Sequence, residues 1–273
     1  MVGKKAVILG SGDIGLIMAR RMTLEGAKVE AVIELMPHSN GLIRNVVQCL
    51  EDFNIPLYLS HTVTKVHGDA RVSGVTVAKV GENHLPIAGT EFEIACDTLL
   101  LSVGLIPENE LSKAAGVKLD PRTDGAVVDE NMQTEVEGVF SCGNVLHVHD
   151  LADFVSAEGE KAGKAAAAYL KDGTRQKSSD SVFVKNGSGV SYTVPQRISG
   201  NCKTPVTVFF RVNRVFGSSE IVVSDETGEI ATFKRERMAP GEMERIVIAP
   251  GKLGGSRFIT VGAREVEQGV NRA

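Results

Sequence analysis

The chain has 273 residues, 42% of them apolar and 23% charged, and its 30 basic and 34 acidic side chains leave a formal charge of -4. That balance excludes a disordered chain and any global field for nucleic acid or anionic lipid, while the length suggests about two domains. Apolar runs end short of the ~20 residues that span a membrane, the first residues run straight into a strand with no room for a signal peptide, and Cys49, Cys96, Cys142 and Cys202 form no Cys-x-x-Cys pair, so a cytoplasmic protein without structural zinc or a neighbouring-thiol redox centre is expected.

Residues 5–9 (KAVIL) form a continuous apolar run, as a strand buried on both faces of a parallel sheet requires. Helical spacing of Ile14, Ile17, Met18 and Met22 predicts a helix over 14–26, with Gly26 as its stop, and residues 28–33 (KVEAVI) read as the next strand. Strand, helix and strand make one βαβ unit with a right-handed crossover. A second helix is expected over 41–53 and a strand over 57–60. Three turn-punctuated runs, 63–67, 72–80 and 91–95, suggest an antiparallel meander, and 98–103 returns to the buried sheet. Beyond a Pro-containing loop, a strand is expected at 138–141 and an alanine-rich helix over 153–171. The polar stretch 173–180 reads as a linker. From 181 onward the runs 206–212, 220–223, 229–234, 245–248 and 257–261 look like strands, with a hairpin turn at 225–228, so a small β-sandwich or barrel is expected over 181–273.

The strongest chemical signal is Gly10-Ser11-Gly12-Asp13-Ile14-Gly15, which follows a strand, opens a helix and sits inside a βαβ unit. Gly10 permits the tight turn, Gly12 lets the backbone approach a pyrophosphate, and Gly15 allows close helix–strand packing. The amides at the helix start supply an anion site. A plain glycine-rich turn would share the glycines but not this context. Glu34 ends the second strand 24 positions after Gly10, where an acid can accept the adenosine ribose hydroxyls. Its charge repels a 2′-phosphate, and Leu35, Met36 and Pro37 offer no cation to hold one, although His38 stands close by; NAD is therefore favoured over NADP. The alternative is a solvated glutamate at a strand end.

The run Thr134-Glu-Val-Glu-Gly138-Val-Phe140-Ser-Cys-Gly143-Asn144, preceded by Gly104, Pro107 and Asn109 and followed by the alanine-rich helix, resembles the pyridine nucleotide–disulfide oxidoreductase superfamily over residues 4–172. The resemblance implies an α/β fold with a Rossmann-like NAD-binding domain and its meander at 1–104, and a second segment of an FAD-binding domain at 105–172. It places Gly104 near the nicotinamide and Gly143, Asn144, His149 and Asp150 beside FAD. The implied activity is an NAD(P)H-dependent flavoprotein oxidoreductase passing hydride between NADH and FAD, with an electron-transfer partner subunit and a homodimeric state. Within the superfamily, residues 143–150 (GNVLHVHD) resemble flavoprotein subunits that work beside glycerol-3-phosphate-dehydrogenase-like partners, often called NADH oxidases. Asn144 replaces the family's Asp, the redox cysteine pair is absent, and no Gly-x-Gly-x-x-Gly unit precedes Lys4, so a fragment or shortened homologue is expected.

His147, His149 and Asp150 offer three ligating groups, but a further protein ligand cannot be named from spacing, so no metal is expected; flavin-edge hydrogen bonding, or packing with Asp150 or Asp153 capping the helix, are the readings retained. No side chain is nominated as catalytic. Tyr58, Tyr169 and Tyr192 are followed four positions later by Thr62, Gly173 and Gln196, which excludes Tyr-x-x-x-Lys chemistry. The alternative function is a non-catalytic dinucleotide-binding and docking subunit.

Overall fold

Lys5–Leu9 (β1) and Lys28–Ile33 (β2), joined by the helix Asp13–Leu24 (α1), form the expected βαβ unit with parallel strands. In the computed structural model, which describes residues 3–172, 181–200, 202–253 and 255–266, the chain forms two compact units, Met1–Gly104 and Leu105–Ala273.

In the first unit the helix Ile43–Cys49 (α2) is shorter than expected, and a separate 3-10 turn covers Glu51–Phe53. Leu57–Tyr58 (β3), His61–His67 (β4), Gly74–Lys79 (β5), Phe92–Ile94 (β6) and Thr98–Leu101 (β7) follow. A parallel sheet runs in the order β3-β2-β1-β7, and β4-β5-β6 is an antiparallel meander. Alternate residues of β1 feed two cores. Ala6 and Ile8 pack with Leu16, Ala19 and Leu50 on the helical face, whereas Val7 packs with Val75 and Val77 of the meander. Both faces are therefore dry, which is why the strand reads as an unbroken apolar run. The chain leaves β1 toward β2 on one side and returns as β7 on the other, so the strand order reverses at the carboxyl end of β1. Crevices at such a reversal are where open α/β sheets bind ligands.

The second unit begins with a loop-rich stretch holding one short helix, Glu110–Ala114 (α3). The strand expected at 138–141 is reduced to a single bridge between Gln133 and Phe140. Met132 and Gly138 have positive φ, and Thr134 accepts from Val136 N–H while its own N–H donates to Val139 O, so the segment closes on itself as a turn. The alanine-rich helix spans Ala152–Asp172 (α4), as alanine's low ordering cost favours.

The strands that follow are Ser181–Asn186 (β8), Val190–Val194 (β9), Arg197–Ser199 (β10), Val206–Val212 (β11), Ser219–Asp225 (β12), Gly228–Arg235 (β13), Glu244–Ile248 (β14) and Phe258–Glu265 (β15). They build a sheet ordered β10-β8-β15-β12-β13 and a second ordered β14-β11-β9. Period-2 burial of Val206, Val208, Phe210 and Val212 against Ile221, Val223, Ile259 and Val261 makes the core of this layer pair. The hairpin at 225–228 is present, with Asp225 accepting from Thr227 N–H and Oγ at 2.7 Å each.

This β layer does not stand apart from residues 105–172. Tyr192 and Val194 share a core with Val117, Val128, Leu146 and Ala162, and Val128 N–H donates to Gln196 Oε1 at 3.0 Å. The expected linker at 173–180 lies outside the described residues. Among the described residues no helix is long and apolar enough to cross a membrane.

Candidate functional site

The glycine-rich loop leaves the carboxyl end of β1 through Gly10, whose φ of +101° and N–H bond to Ile33 O (2.7 Å) turn the chain sharply. A Cβ there would lie 1.9 Å from Ser102 O, so no side chain fits. Gly15, one turn into α1, would place a Cβ 2.6 Å from Gly10 O and 2.9 Å from Ser102 Oγ. Gly15→Ala is therefore expected to destabilise the first unit by about 1–3 kcal/mol through overpacking, read by equilibrium urea unfolding; an unchanged midpoint would contradict the packing role.

Gly12 differs from both. It takes an ordinary extended conformation as N-cap of α1, with no side-chain cap on the helix start, and a Cβ would meet nothing within 4 Å. The helix start thus offers uncapped amides and the positive end of its dipole beside an open position. Ile14 is 70% exposed on the same turn.

The polar side chains around this loop face inward. Glu34 is 3% exposed, and its Oε2 accepts from Ser11 N–H (2.9 Å) and Ser11 Oγ (2.6 Å), while Oε1 accepts from Met36 N–H (2.9 Å) and Asn40 Nδ2 (3.3 Å). These four donors occupy the acceptor positions a carboxylate has. Ser11 is fully buried; its Oγ also accepts from Asn40 N–H at 3.1 Å, and its carbonyl accepts from Ser39 Oγ at 3.1 Å. Asp13 Oδ1 accepts from Leu42 N–H (2.8 Å) and Asn45 Nδ2 (2.6 Å), tying the loop to α2. The side chains of Ser11 and Asp13, expected at the coenzyme, instead hold the loop. Glu34 is neither solvated nor open on every side. Asn40 was not singled out in the sequence, yet it covers Glu34 through the longest of the four bonds. Gly104, past β7, has a φ of +94° with open space at its Cβ position.

In the second unit Gly143, Asn144, His149 and Asp150 come together around the turn that precedes α4, but each is engaged within the protein. Gly143 N–H donates to Glu158 Oε2 (2.6 Å), and exposed Asn144 accepts His149 N–H through Oδ1 (3.1 Å). The His147 and His149 rings reach Glu158 Oε1 and Oε2 through Nε2 at 3.0 and 3.1 Å, all three side chains being at most 2% exposed. Burial alone would raise the Glu158 carboxyl, but hydrogen bonds from His147, His149 and Gly143 hold it at about 2. Burial pushes His147 down against the pull of that carboxylate. The ring of His149 is therefore turned away from any ligand at the surface.

Asp150 likewise faces inward and caps no helix. It pairs with Arg211 and accepts Met243 N–H at 2.6 Å. Arg211 also donates to Tyr192 Oη (3.2 Å), Val148 O (3.1 Å) and Pro240 O (3.2 Å), clamping β11 and β9 to the 143–150 turn. Nothing in the sequence around Glu158 or Arg211 marks either residue; only their burial does.

The profile of the pyridine nucleotide-disulphide oxidoreductase family matches residues 1–173. Dihydrolipoyl dehydrogenase of Pseudomonas aeruginosa is 30% identical over 168 residues, 60% of this chain and 34% of its own length. The NADH oxidase of Methanocaldococcus jannaschii is 28% identical over 161 residues, 57% of this chain and 32% of its own. The small chain of the NADPH glutamate synthase of Escherichia coli is 27% identical over 191 residues, 63% and 40% respectively. The crystal structure of T. acidophilum thioredoxin reductase superposes with a TM-score of 0.51 at 35% identity, covering 62% of this chain and 52% of that one. The chain spans 34%, 32% and 38% of the curated relatives first matched, about a third of their length.

Proposed function

Because the chain belongs to the pyridine nucleotide-disulphide oxidoreductase family, whose members are FAD-dependent NAD(P)H oxidoreductases, we propose that Met1–Gly104 is the coenzyme-binding unit of such an oxidoreductase and seats the diphosphate of NAD(H) on the Gly10–Gly15 loop. One observation carries this reading: at the uncapped start of α1 the place of a Gly12 side chain is open space. The amides of the first helical turn hold the diphosphate there, and the bound coenzyme supplies a hydride. The residues of this chain bind and orient; none is assigned a proton transfer.

Glu34 reads the adenosine ribose in this proposal. A ribose hydroxyl replaces Asn40 Nδ2 on Oε1, the 3.3 Å contact, while Ser11 and Met36 keep the carboxylate in place. A 2′-phosphate would bring negative charge against that carboxylate, so NADH is favoured over NADPH. Glu34→Gln keeps the volume and removes the charge. It is expected to narrow the NADH-over-NADPH preference about tenfold, or ~1.4 kcal/mol, in calorimetric titrations. An unchanged preference would show that Glu34 does not read the ribose.

The flavin reading is narrower. Asn144 and the backbone of 143–145 are the part of the turn proposed to meet FAD; the inward side chains of His149 and Asp150 do not fit that role and are left out of it. Their engagement favours a second reading, in which the chain binds the nicotinamide coenzyme and docks on an electron-transfer partner subunit that carries the flavin. The two readings differ in the visible spectrum of the purified chain. Yellow protein that releases flavin on denaturation supports the first, and colourless protein that still titrates with NADH supports the second.

A further inference from the structure

Three ligating side chains meet in the second unit at a place the coenzyme reading does not use. His147 and His149 approach one carboxylate from two directions, each Nε2 on a different oxygen of Glu158, and the three ligand atoms lie within 4.8 Å of one another. The ring centroids are 4.3 Å apart. Two ligands held at ~2.0–2.1 Å from one tetrahedral ion stand roughly 3.3 Å apart, close to the 3.0 and 3.1 Å separations seen. Gly143 N–H, 2.6 Å from Oε2, fixes the carboxylate as outer-shell donors fix metal-ligating acids.

We propose that His147 Nε2, His149 Nε2 and the Glu158 carboxylate bind one divalent transition-metal ion, zinc by its ligand set, with water as the fourth ligand. Two imidazoles and a carboxylate are a recognised zinc set, softer than calcium or magnesium prefer. Glu158, which follows His149 by nine residues, is the protein ligand that spacing alone could not identify. The ion would staple the 143–150 turn to α4. The proposal rests on the second unit alone and is independent of the coenzyme reading.

The test uses the full chain produced in zinc-supplemented and in cobalt-supplemented medium, with metal counted by mass spectrometry after exhaustive dialysis. About one equivalent per chain is expected, falling at least ~10-fold in both Glu158→Gln and His149→Ala. The cobalt form should show ligand-field bands without the intense thiolate charge-transfer band that any cysteine ligand would add. Less than about a tenth of an equivalent in the unmodified chain, a thiolate band, or full occupancy in both variants would overturn the proposal. Should a variant fail to fold, the occupancy and spectrum of the unmodified chain decide. NADH titration of folded Glu158→Gln is expected to match the unmodified chain, so failure of the metal site and failure of the coenzyme reading remain distinguishable.

Discussion

Gly12→Val should weaken NADH binding at least ~100-fold, equivalent to roughly 2.7 kcal/mol, while leaving the protein folded. The separation of the two effects follows from the local geometry. Gly12 sits at φ -65° and ψ 163°, which valine adopts without strain, and its Cβ would touch nothing within 4 Å. The cost to stability is therefore the loss of a tolerable N-cap, about 1 kcal/mol. Two added methyls occupy the space a diphosphate needs to reach the first amides of α1. Gly10 and Gly15 give the opposite pattern, because side chains there collide with Ser102 and with the loop backbone and disturb the fold before any ligand arrives. Calorimetric titration with NADH and a thermal melt of the same sample read both effects. A folded Gly12→Val chain with undiminished affinity would assign the glycine to chance and move the coenzyme elsewhere.

The second large effect is expected at Arg211. Its guanidinium is the common partner of Asp150, Tyr192 Oη, Val148 O and Pro240 O, with the side chains of Arg211 and Asp150 only 16% and 18% exposed. Truncation to alanine leaves a mostly buried carboxylate with Met243 N–H as its remaining bond, and two carbonyls lose a donor. Breaking one side of such a pair typically costs 3–5 kcal/mol, and the residual exposure argues for the lower end, about 3 kcal/mol or roughly 6–12 °C in the melting temperature of a unit this size. Replacing Arg211 and Asp150 together should recover part of the loss, since no charge is then left unpaired. A single Arg211→Ala change that shifts the transition by less than about 2 °C would refute the clamp.

The parts of the molecule that could be read from sequence are those where one physical pressure acts along a short stretch. β1 is dry on both faces, so residues 6–9 are apolar without alternation; α1 forms where its spacing predicts, but the side that packs carries Leu16, Ala19 and Met22, while Ile14 and Ile17 of the expected stripe are exposed. The meander was visible through its turns. What escaped reading depends on contacts between residues far apart in the chain. Glu158 lies among Glu and Lys residues of an alanine-rich helix, and nothing nearby in sequence marks it as the member whose side chain is 2% exposed. Asn40 gains meaning only when its loop folds over Ser11 and Glu34. β8, β9 and β10 were missed because Gly187, Gly189 and Pro195 break the run into pieces that look like loop, and β8 finds its parallel partner in β15, far along the chain. The strand expected at 138–141 failed for the converse reason, since local bonds from Thr134 outcompete a ladder.

The central claim is that the uncapped first turn of α1 receives a coenzyme diphosphate. Amide spectra of the isotopically labelled chain, recorded during titration with NADH, test it residue by residue. The largest shifts should fall on Gly12, Asp13 and Ile14, with smaller ones at Glu34 and Asn40 as the ribose displaces the amide contact. Saturating NADH that leaves those three amides unmoved, or moves only residues beyond Gly104, would contradict the account.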